Sequence, residues 1–378
     1  MKKPLYQLKQ RHDVIRQFTP NWFTVTMGTG VVALILAEFS VFAQSINMFA
    51  TLLWQMNIVL FSLFSVLYIL RWLIYPHEAR QIFTHSSMAL FLGTIPMGLA
   101  TIINGFLKFG VVLYGDIAIQ IAQMLWYVDV FLAVLIGVFV PFLMFSRQKH
   151  ELKTMTAMWL LPIVACEVTA ASGGLLLQHL AVGQTTLGIL FGSYILWGMS
   201  VLPAFAILTI LLLRLALHQL PSKELAISSW LALGPIGTGA LALLVLGAQA
   251  PHILQAYHLN GLADFLHYAG IASSLILIGF GVWWFVIAVL TTLSHVKTGL
   301  PFNLGWWGLT FPLGVFTLAI LNLGHQLQVN FIVNCGLALS VLLIALWGMV
   351  MLKTLRGMYQ GYLFHSPCLQ NLLQREQV

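Results

Sequence analysis

Ten stretches of this chain are each long enough and apolar enough to cross a lipid bilayer as a helix. A bilayer core about 30 Å thick requires about 20 mostly apolar residues per helix. The stretches lie at 21–43, 49–73, 86–108, 117–145, 157–181, 187–214, 226–249, 265–293, 304–326 and 330–353. The sequence therefore predicts an all-α polytopic membrane protein with a transmembrane domain at 21–353. A basic N-terminus at 1–20 and a C-terminal tail at 354–378 flank this domain.

The composition excludes several classes of function. Charged residues make up only 7% of the chain, although its net charge is +7. Soluble proteins carry about 25% charged residues, so nucleic-acid binding and catalysis on large soluble substrates are poor interpretations. The three cysteines fit neither a disulfide framework nor a metal site, and histidines 252, 258 and 267 fit no standard zinc pattern. We predict no metal site and no cofactor. No metalloprotease or serine-hydrolase motif is present, so the chain is not predicted to be an enzyme.

The basic residues predict the orientation of the ten spans. Cytoplasmic loops of membrane proteins carry an excess of lysine and arginine. In a ten-span arrangement, 16 of the 17 basic residues fall on one side, and only Lys108 falls on the other. The sequence therefore predicts cytoplasmic termini in a plasma or bacterial inner membrane. Some of the tryptophans lie near span ends and are interpreted as an interfacial aromatic belt; the set includes Trp54, Trp72, Trp159, Trp283, Trp284, Trp306 and Trp307.

Odd-numbered and even-numbered spans differ in kind. The odd spans begin every 65 to 78 residues and carry glycine and proline within the membrane, whereas the even spans are mostly longer and smoother. This alternation indicates five helical hairpins of about 70 residues each. Proline frees a backbone carbonyl and bends a helix. In lipid, such irregularity is tolerated only where protein or a water-filled cavity surrounds it.

We therefore expect the odd helices to lie inside and to line a central pore. The residues expected to line this pore or to kink its helices are Gly28, Gly30, Pro96, Gly98, Pro162, Pro235, Gly237, Gly239 and Pro312. The alternative interpretation is that the small residues only allow helices to pack closely.

Three motifs give the chain a family resemblance. They are Phe18-Thr19-Pro20-Asn21-Trp22-Phe23 leading into Met27-Gly28-Thr29-Gly30, Leu233-Gly234-Pro235, and Trp306-Trp307-Gly308-Leu309-Thr310-Phe311-Pro312. In their order and spacing they resemble the tellurite-resistance/dicarboxylate transporter family, which includes slow anion channels, malate permeases and sulfite efflux pumps. The similarity covers essentially the whole transmembrane region.

The resemblance implies a specific architecture and gate. It implies five hairpins in a quasi-fivefold arrangement, with a separate pore in each subunit of a homotrimer. It also implies that a phenylalanine of the ninth helix plugs the pore, and the matching residue is Phe311. The alternative is that Phe311 is an ordinary packed aromatic side chain.

Three carboxylates fall within the predicted spans, namely Glu38, Asp129 and Glu167. No lysine or arginine lies at the same depth, so ion pairing within the chain is not expected. An unpaired buried carboxylate is costly unless it takes up a proton. Glu167 lies on an odd helix and is a candidate for proton coupling, with a structural hydrogen bond as the alternative. Asp129 lies on an even helix and is interpreted as structural.

Two functions therefore remain open at the level of the sequence. The first is an anion channel or uniporter that passes small oxyanions or monoanionic C4-dicarboxylates such as malate through a Phe-gated pore. The second is a proton-coupled C4-dicarboxylate carrier, or an exporter of sulfite-type or tellurite-type oxyanions. A carrier requires Glu167 and a pH gradient, whereas a channel requires neither. The expected partners are small anions and the lipid bilayer.

Overall fold

Ten membrane-spanning helices make up nearly all of the protein. The computed structural model describes residues 3–8, 10, 12–39, 43–297 and 299–376, so Lys2, Lys9, Arg11 and the end of the first predicted span at 40–42 lie outside the described residues. The spans are α1 Pro20–Glu38, α2 Gln44–Ile74, α3 Met88–Tyr114, α4 Asp116–Ser146, α5 Ala157–His179, α6 Gln184–His218, α7 Ala226–Tyr257, α8 Asn260–Val296, α9 Leu304–Leu327 and α10 Asn330–Gln360. A shorter helix, α11, follows at Pro367–Glu376. No strand occurs within these ranges, so the all-α prediction is confirmed.

The five odd-numbered helices, called the core helices below, all begin in the same irregular way. Each starts with a 3₁₀-helical segment, at Pro20–Trp22, Met88–Gly93, Ala157–Leu160, Ala226–Ala232 and Leu304–Leu309. In α3, α5, α7 and α9 the proline lies at the second or third position of the α-helical part that follows. The first turn of a helix tolerates proline because its missing N–H has no partner there.

The prolines therefore mark junctions between 3₁₀ and α-helix rather than kinks in mid-helix. Threonine hydroxyls help to satisfy the carbonyls at two of these junctions. Thr94 donates to the Phe91 carbonyl at 2.6 Å, and Thr310 donates to the Trp307 carbonyl at 2.7 Å.

The core helices pack against one another in a closed cycle. α1 contacts α3, α3 contacts α5, α5 contacts α7, α7 contacts α9, and α9 returns to α1. Each even-numbered helix lies against the two core helices that precede and follow it in sequence, with α10 completing the circle by contacting α9 and α1. In each core helix, at least 78% of the residues in the apolar part of the span are buried, whereas in each even helix at most 33% are buried. This arrangement agrees with the expected inside position of the odd helices.

A tryptophan on each even helix donates its indole N–H to a core helix. The distance from the indole nitrogen to the acceptor oxygen is 2.9–3.3 Å in each case. Trp54 donates to the Ile102 carbonyl, Trp126 to the Thr169 carbonyl, Trp197 to the Gly239 carbonyl, Trp284 to the Ser229 carbonyl, and Trp347 to the Thr29 hydroxyl. The interfacial-belt interpretation is therefore wrong for Trp54, Trp284 and Trp307, which are each 1% exposed. Their indoles instead join the even helices to the core helices.

Glycines set the distances between helices. A Cβ atom on Gly28 would overlap Thr310 and Trp307, one on Gly30 would overlap Thr101, and one on Gly237 would overlap the backbone of Phe316. A Cβ on Gly98 would come within 2.7 Å of the Thr26 hydroxyl, and one on Gly239 within 3.3 Å of Val201. These five glycines therefore lie at helix contacts, as in the close-packing alternative.

Gly237→Ala should lower the melting temperature of the protein in detergent. The added methyl group would press on the α9 backbone, and overpacking of this kind costs about 1–3 kcal/mol. Gly188→Ala in α6 is the matched control, because nothing lies within 4 Å of its added Cβ. The control should keep or slightly raise the melting temperature, since alanine favours helix by up to about 1 kcal/mol. Equal melting temperatures for the two variants would contradict the assigned contact.

Candidate functional site: an axis with two vestibules

A cavity opens at the end of the molecule where the core helices begin. Its volume is about 350 Å³, and we call it the inner vestibule because the predicted topology puts this end on the cytoplasmic side. All five core helices line it, together with the segment that follows α10. The lining includes Asn21, Thr24, Met27, Met88, Phe91, Met158, Leu161, Ser228, Leu231, Asn303, Gly308, Tyr362 and His365.

The electrostatics of the inner vestibule favour anions. Because all core helices run in the same direction, their five N-termini meet here, and helix N-termini carry partial positive charge from unsatisfied N–H groups. The carboxylate that lines the vestibule is Glu224. It is fully exposed, and its pKa lies below the usual value because its carboxylate accepts hydrogen bonds from its own backbone N–H and from Ser222. This charge therefore lies in water.

The axis narrows to a small apolar void below the inner vestibule. The void measures about 10 Å³ and is lined by Met27, Met97, Leu160, Leu161, Val164, Leu231, Gly234, Phe311 and Pro312, which come from all five core helices. A water molecule needs at least about 10–15 Å³ and several polar partners. Phe311 is only 2% exposed. The axis is thus closed by apolar side chains at this level, which we call the constriction.

A second cavity, the outer vestibule, opens at the opposite end of the axis. Its volume is about 330 Å³, and it is lined by Leu34, Glu38, Asn104, Leu107, Lys108, Leu175, Gln178, His179, Leu241, Leu318, Leu321, Asn322 and His325. Every core helix contributes at least one of these residues. The inner vestibule and the constriction share Met27, Leu161 and Leu231, and the outer vestibule lies towards the other end of the same five helices.

The residues that the sequence analysis assigned to the pore fall into two groups. Phe311 and Pro312 line the constriction. The other eight residues line neither the constriction nor a vestibule. They are Gly28, Gly30, Pro96, Gly98, Pro162, Pro235, Gly237 and Gly239. These prolines begin α-helical segments, and these glycines lie at helix contacts. The residues whose spacing identifies the core helices are therefore not the residues whose side chains face the axis.

Glu167 is buried away from the axis. Its side chain is 0% exposed, lines none of the three cavities, and points towards Gly239 of α7. Neither carboxylate oxygen has a hydrogen-bond partner by distance and angle within the described residues. The proton-coupling role of Glu167 stays a prediction, and this position does not place it in an anion's path.

Asp129 and Glu38 both have partners. Asp129 accepts a hydrogen bond of 2.7 Å from the Thr169 hydroxyl, which links α4 to α5, in agreement with a structural role. Glu38 forms an ion pair with Lys108 at 3.3 Å. The expectation that Glu38 is unpaired is therefore wrong, because Lys108 lies on α3 at the same level of the outer vestibule.

The segment after α10 forms part of the inner vestibule, which the sequence analysis did not anticipate. Phe364 stacks on Trp22 with ring centroids 4.8 Å apart. Arg71, buried at the end of α2, donates to the Phe18 carbonyl and to the Ser366 hydroxyl. Burial also raises the pKa of the Cys368 thiol to about 11. The isolated arginine at the end of an apolar span was the one signal in the sequence that could have indicated this contact.

Arg71→Gln should release the C-terminal segment from the vestibule. The substitution removes a buried donor, so the Phe18 carbonyl and the Ser366 hydroxyl both lose the hydrogen bond that Arg71 donates. The equilibrium between the docked and the released segment should therefore shift towards release by about tenfold or more. The measurement is the rate of chymotrypsin cleavage after Phe364, which is 8% exposed. Arg356→Gln, on an exposed part of α10, is the control. Equal cleavage rates in both variants would show that Arg71 does not hold the segment.

Comparison with known proteins identifies the family. The model of the voltage-dependent anion channel family matches residues 17–355. A sulfite efflux pump of Arthroderma benhamiae is 36% identical over 92% of this chain and 92% of its own length. An uncharacterized transporter of Methanocaldococcus jannaschii is 28% identical over 93% and 96% of the two chains. A malic acid transport protein of Schizosaccharomyces pombe is 24% identical over 94% and 81%. The resemblance found in the sequence is confirmed, and the chain belongs to the voltage-dependent anion channel family.

Proposed function

We propose that this protein passes small anions along the axis of its core helices and that Phe311 closes the path. The observation that carries this proposal is the line of two vestibules and one constriction, each lined by all five core helices. The anion channel family to which the chain belongs supports the same function.

The chemistry of the path favours anions over cations. Five helix N-termini face the inner vestibule, where they attract negative charge. No carboxylate lines the constriction within the described residues, whereas cation-selective pores carry rings of carboxylates. The constriction itself is apolar, so it acts as a steric and dewetting barrier. Conduction then requires the Phe311 ring to move aside.

A small oxyanion of the sulfite type is the proposed cargo. The support is the 36% identity to a sulfite efflux pump across nearly the full length of both chains. Malate is the second candidate, supported by a relative of 24% identity. The proposed location is a plasma or bacterial inner membrane with cytoplasmic termini, and the support is the distribution of basic residues. A homotrimer remains a prediction from the family resemblance.

Phe311→Ala should raise anion flux into lipid vesicles by about tenfold or more, the change that follows from lowering a barrier by about 1.4 kcal/mol. The reason is that truncation removes the largest side chain at the constriction. Phe316→Ala is a matched control on the same helix, because Phe316 is also buried but contacts Gly237 and Gly281 instead of the axis. Flux is compared for equal amounts of folded protein. Unchanged flux in Phe311→Ala, or an equal rise in both variants, would contradict the gate.

Currents across planar bilayers test the cargo and the mode of transport. Chloride, nitrate, sulfite and malate are compared at two pH values on the same purified protein. A channel gives currents that reverse at the Nernst potential of the permeant anion. Uptake that requires a pH gradient and gives little current would instead identify a coupled carrier.

The alternative function, a proton-coupled carrier or oxyanion exporter, depends on Glu167. The observation in its favour is a fully buried carboxylate without a basic partner. Its position off the axis, beside Gly239, favours the channel.

Glu167→Gln should therefore leave anion currents within about twofold of the wild-type currents, since a neutral amide of similar size fills the same site without altering the path. The currents are measured together with uptake under a pH gradient. Asp129→Asn, at another buried carboxylate, is the matched control. Loss of gradient-driven uptake in a folded Glu167→Gln protein, with Asp129→Asn unaffected, would favour the carrier.

A further inference from the structure

The outer vestibule carries a cluster of polar and titratable side chains that the proposed gate does not use. Glu38 of α1, Lys108 of α3, His179 of α5 and His325 of α9 line it. Three amides, Asn104, Gln178 and Asn322, complete the polar lining. Its volume of about 330 Å³ lies at the lower end of the range of about 300–1,000 Å³ typical of small-molecule sites.

Several of these groups have unused hydrogen-bonding capacity. Within the described residues, neither the imidazoles of His179 and His325 nor the amide of Gln178 forms a hydrogen bond with another group. Asn104 lines the vestibule, and its buried Oδ1 atom also lacks a partner. Asn104 Oδ1 is buried and His179 is half-buried, and polar groups in such positions are normally satisfied, so these two groups point to a polar occupant, which the exposed side chains of Gln178 and His325 can also reach.

Lys108 is held at the vestibule by an unusual piece of backbone. It lies at the centre of a π-helical turn, Phe106–Gly110, within α3, and such turns occur frequently at functional sites. Among the described residues, its ammonium group pairs with Glu38 at 3.3 Å, and an ammonium group has three donors, so it can bind a second acceptor. The Lys108 side chain is 49% exposed, so an anion can reach it from solvent.

We infer that the outer vestibule is an oxyanion-binding site in which Lys108, His179 and His325 hold the anion and Glu38 competes with it for Lys108. The bound anion replaces the Glu38 carboxylate at the ammonium group and accepts hydrogen bonds from the imidazoles. Each imidazole donates through whichever ring nitrogen carries a proton. Glu38, Lys108, His179 and His325 are the charged and titratable groups that line the vestibule.

This inference rests on the proposed function for the anion's route, but binding can be measured without transport. The probe is sulfate, a tetrahedral dianion whose oxygens accept hydrogen bonds from ammonium and imidazole donors. Isothermal titration of the purified full-length protein in detergent gives the dissociation constant. Flux through Phe311→Ala is recorded separately and tests the path alone.

The ion pair provides a test with opposite signs. Lys108→Gln should weaken sulfate binding about tenfold, because a charge-assisted hydrogen bond is lost. Glu38→Gln should tighten it about threefold to tenfold, because the competing carboxylate is gone. A purely structural ion pair predicts that both variants change binding in the same direction or leave it unchanged, and either result overturns the inference.

The controls separate site effects from net charge. Lys149→Gln and Glu151→Gln make the same charge changes at exposed positions between α4 and α5, and both should leave the dissociation constant unchanged. His179→Leu combined with His325→Leu should weaken sulfate binding about tenfold, because both imidazole donors are lost. This double variant also decides the question if Lys108→Gln fails to fold. Undetectable sulfate binding to the wild type, or unchanged binding in the double variant, overturns the site even if anion currents are observed.

Discussion

The bilayer's lack of hydrogen-bonding partners is the constraint on which this structure depends. Backbone that departs from a regular helix leaves polar groups unsatisfied, and lipid cannot satisfy them. Every core helix begins with a 3₁₀ segment and a change to α-helix near a proline. These irregular starts are possible because five regular helices surround them, and the same irregularity brings five helix N-termini to one end of the axis.

The surrounding helices are attached to the core by directed contacts as well as by packing. Indole N–H groups at Trp54, Trp126 and Trp197 donate to carbonyls of the following core helix. Trp284 departs from this pattern, since it donates back to Ser229 at the start of the preceding core helix. In an environment where apolar packing between helices has no advantage over packing against lipid, small residues and interhelical hydrogen bonds supply specificity. Glycines at the helix contacts and buried tryptophans therefore act together to hold the core helices and the surrounding helices in their observed positions.

Hydropathy and the spacing of glycine and proline predicted the ten spans, their alternation and the inside position of the odd helices, because these follow from local sequence. Phe311 was identified through the family motif, and the structure places it at the constriction. The pairing of Glu38 with Lys108 could not be predicted, since it joins helices 70 residues apart. The contact of Arg71 with Ser366 spans 295 residues. Sequence patterns indicate which helix a residue occupies, but contacts of this kind depend on how distant helices are rotated against each other.

The direction of the core helices also makes the two ends of the axis electrostatically unequal. Their N-termini face the inner vestibule and attract anions, whereas their C-termini carry partial negative charge and face the outer vestibule. On the proposed path, an anion beyond the constriction would therefore move towards the unfavourable ends of five helix dipoles. Lys108 lies at that end, where its positive charge opposes the dipoles. Glu38 limits this compensation by pairing with Lys108. On the proposed path, an ammonium group shared between Glu38 and a passing anion would hold that anion weakly enough for it to leave, as rapid conduction requires.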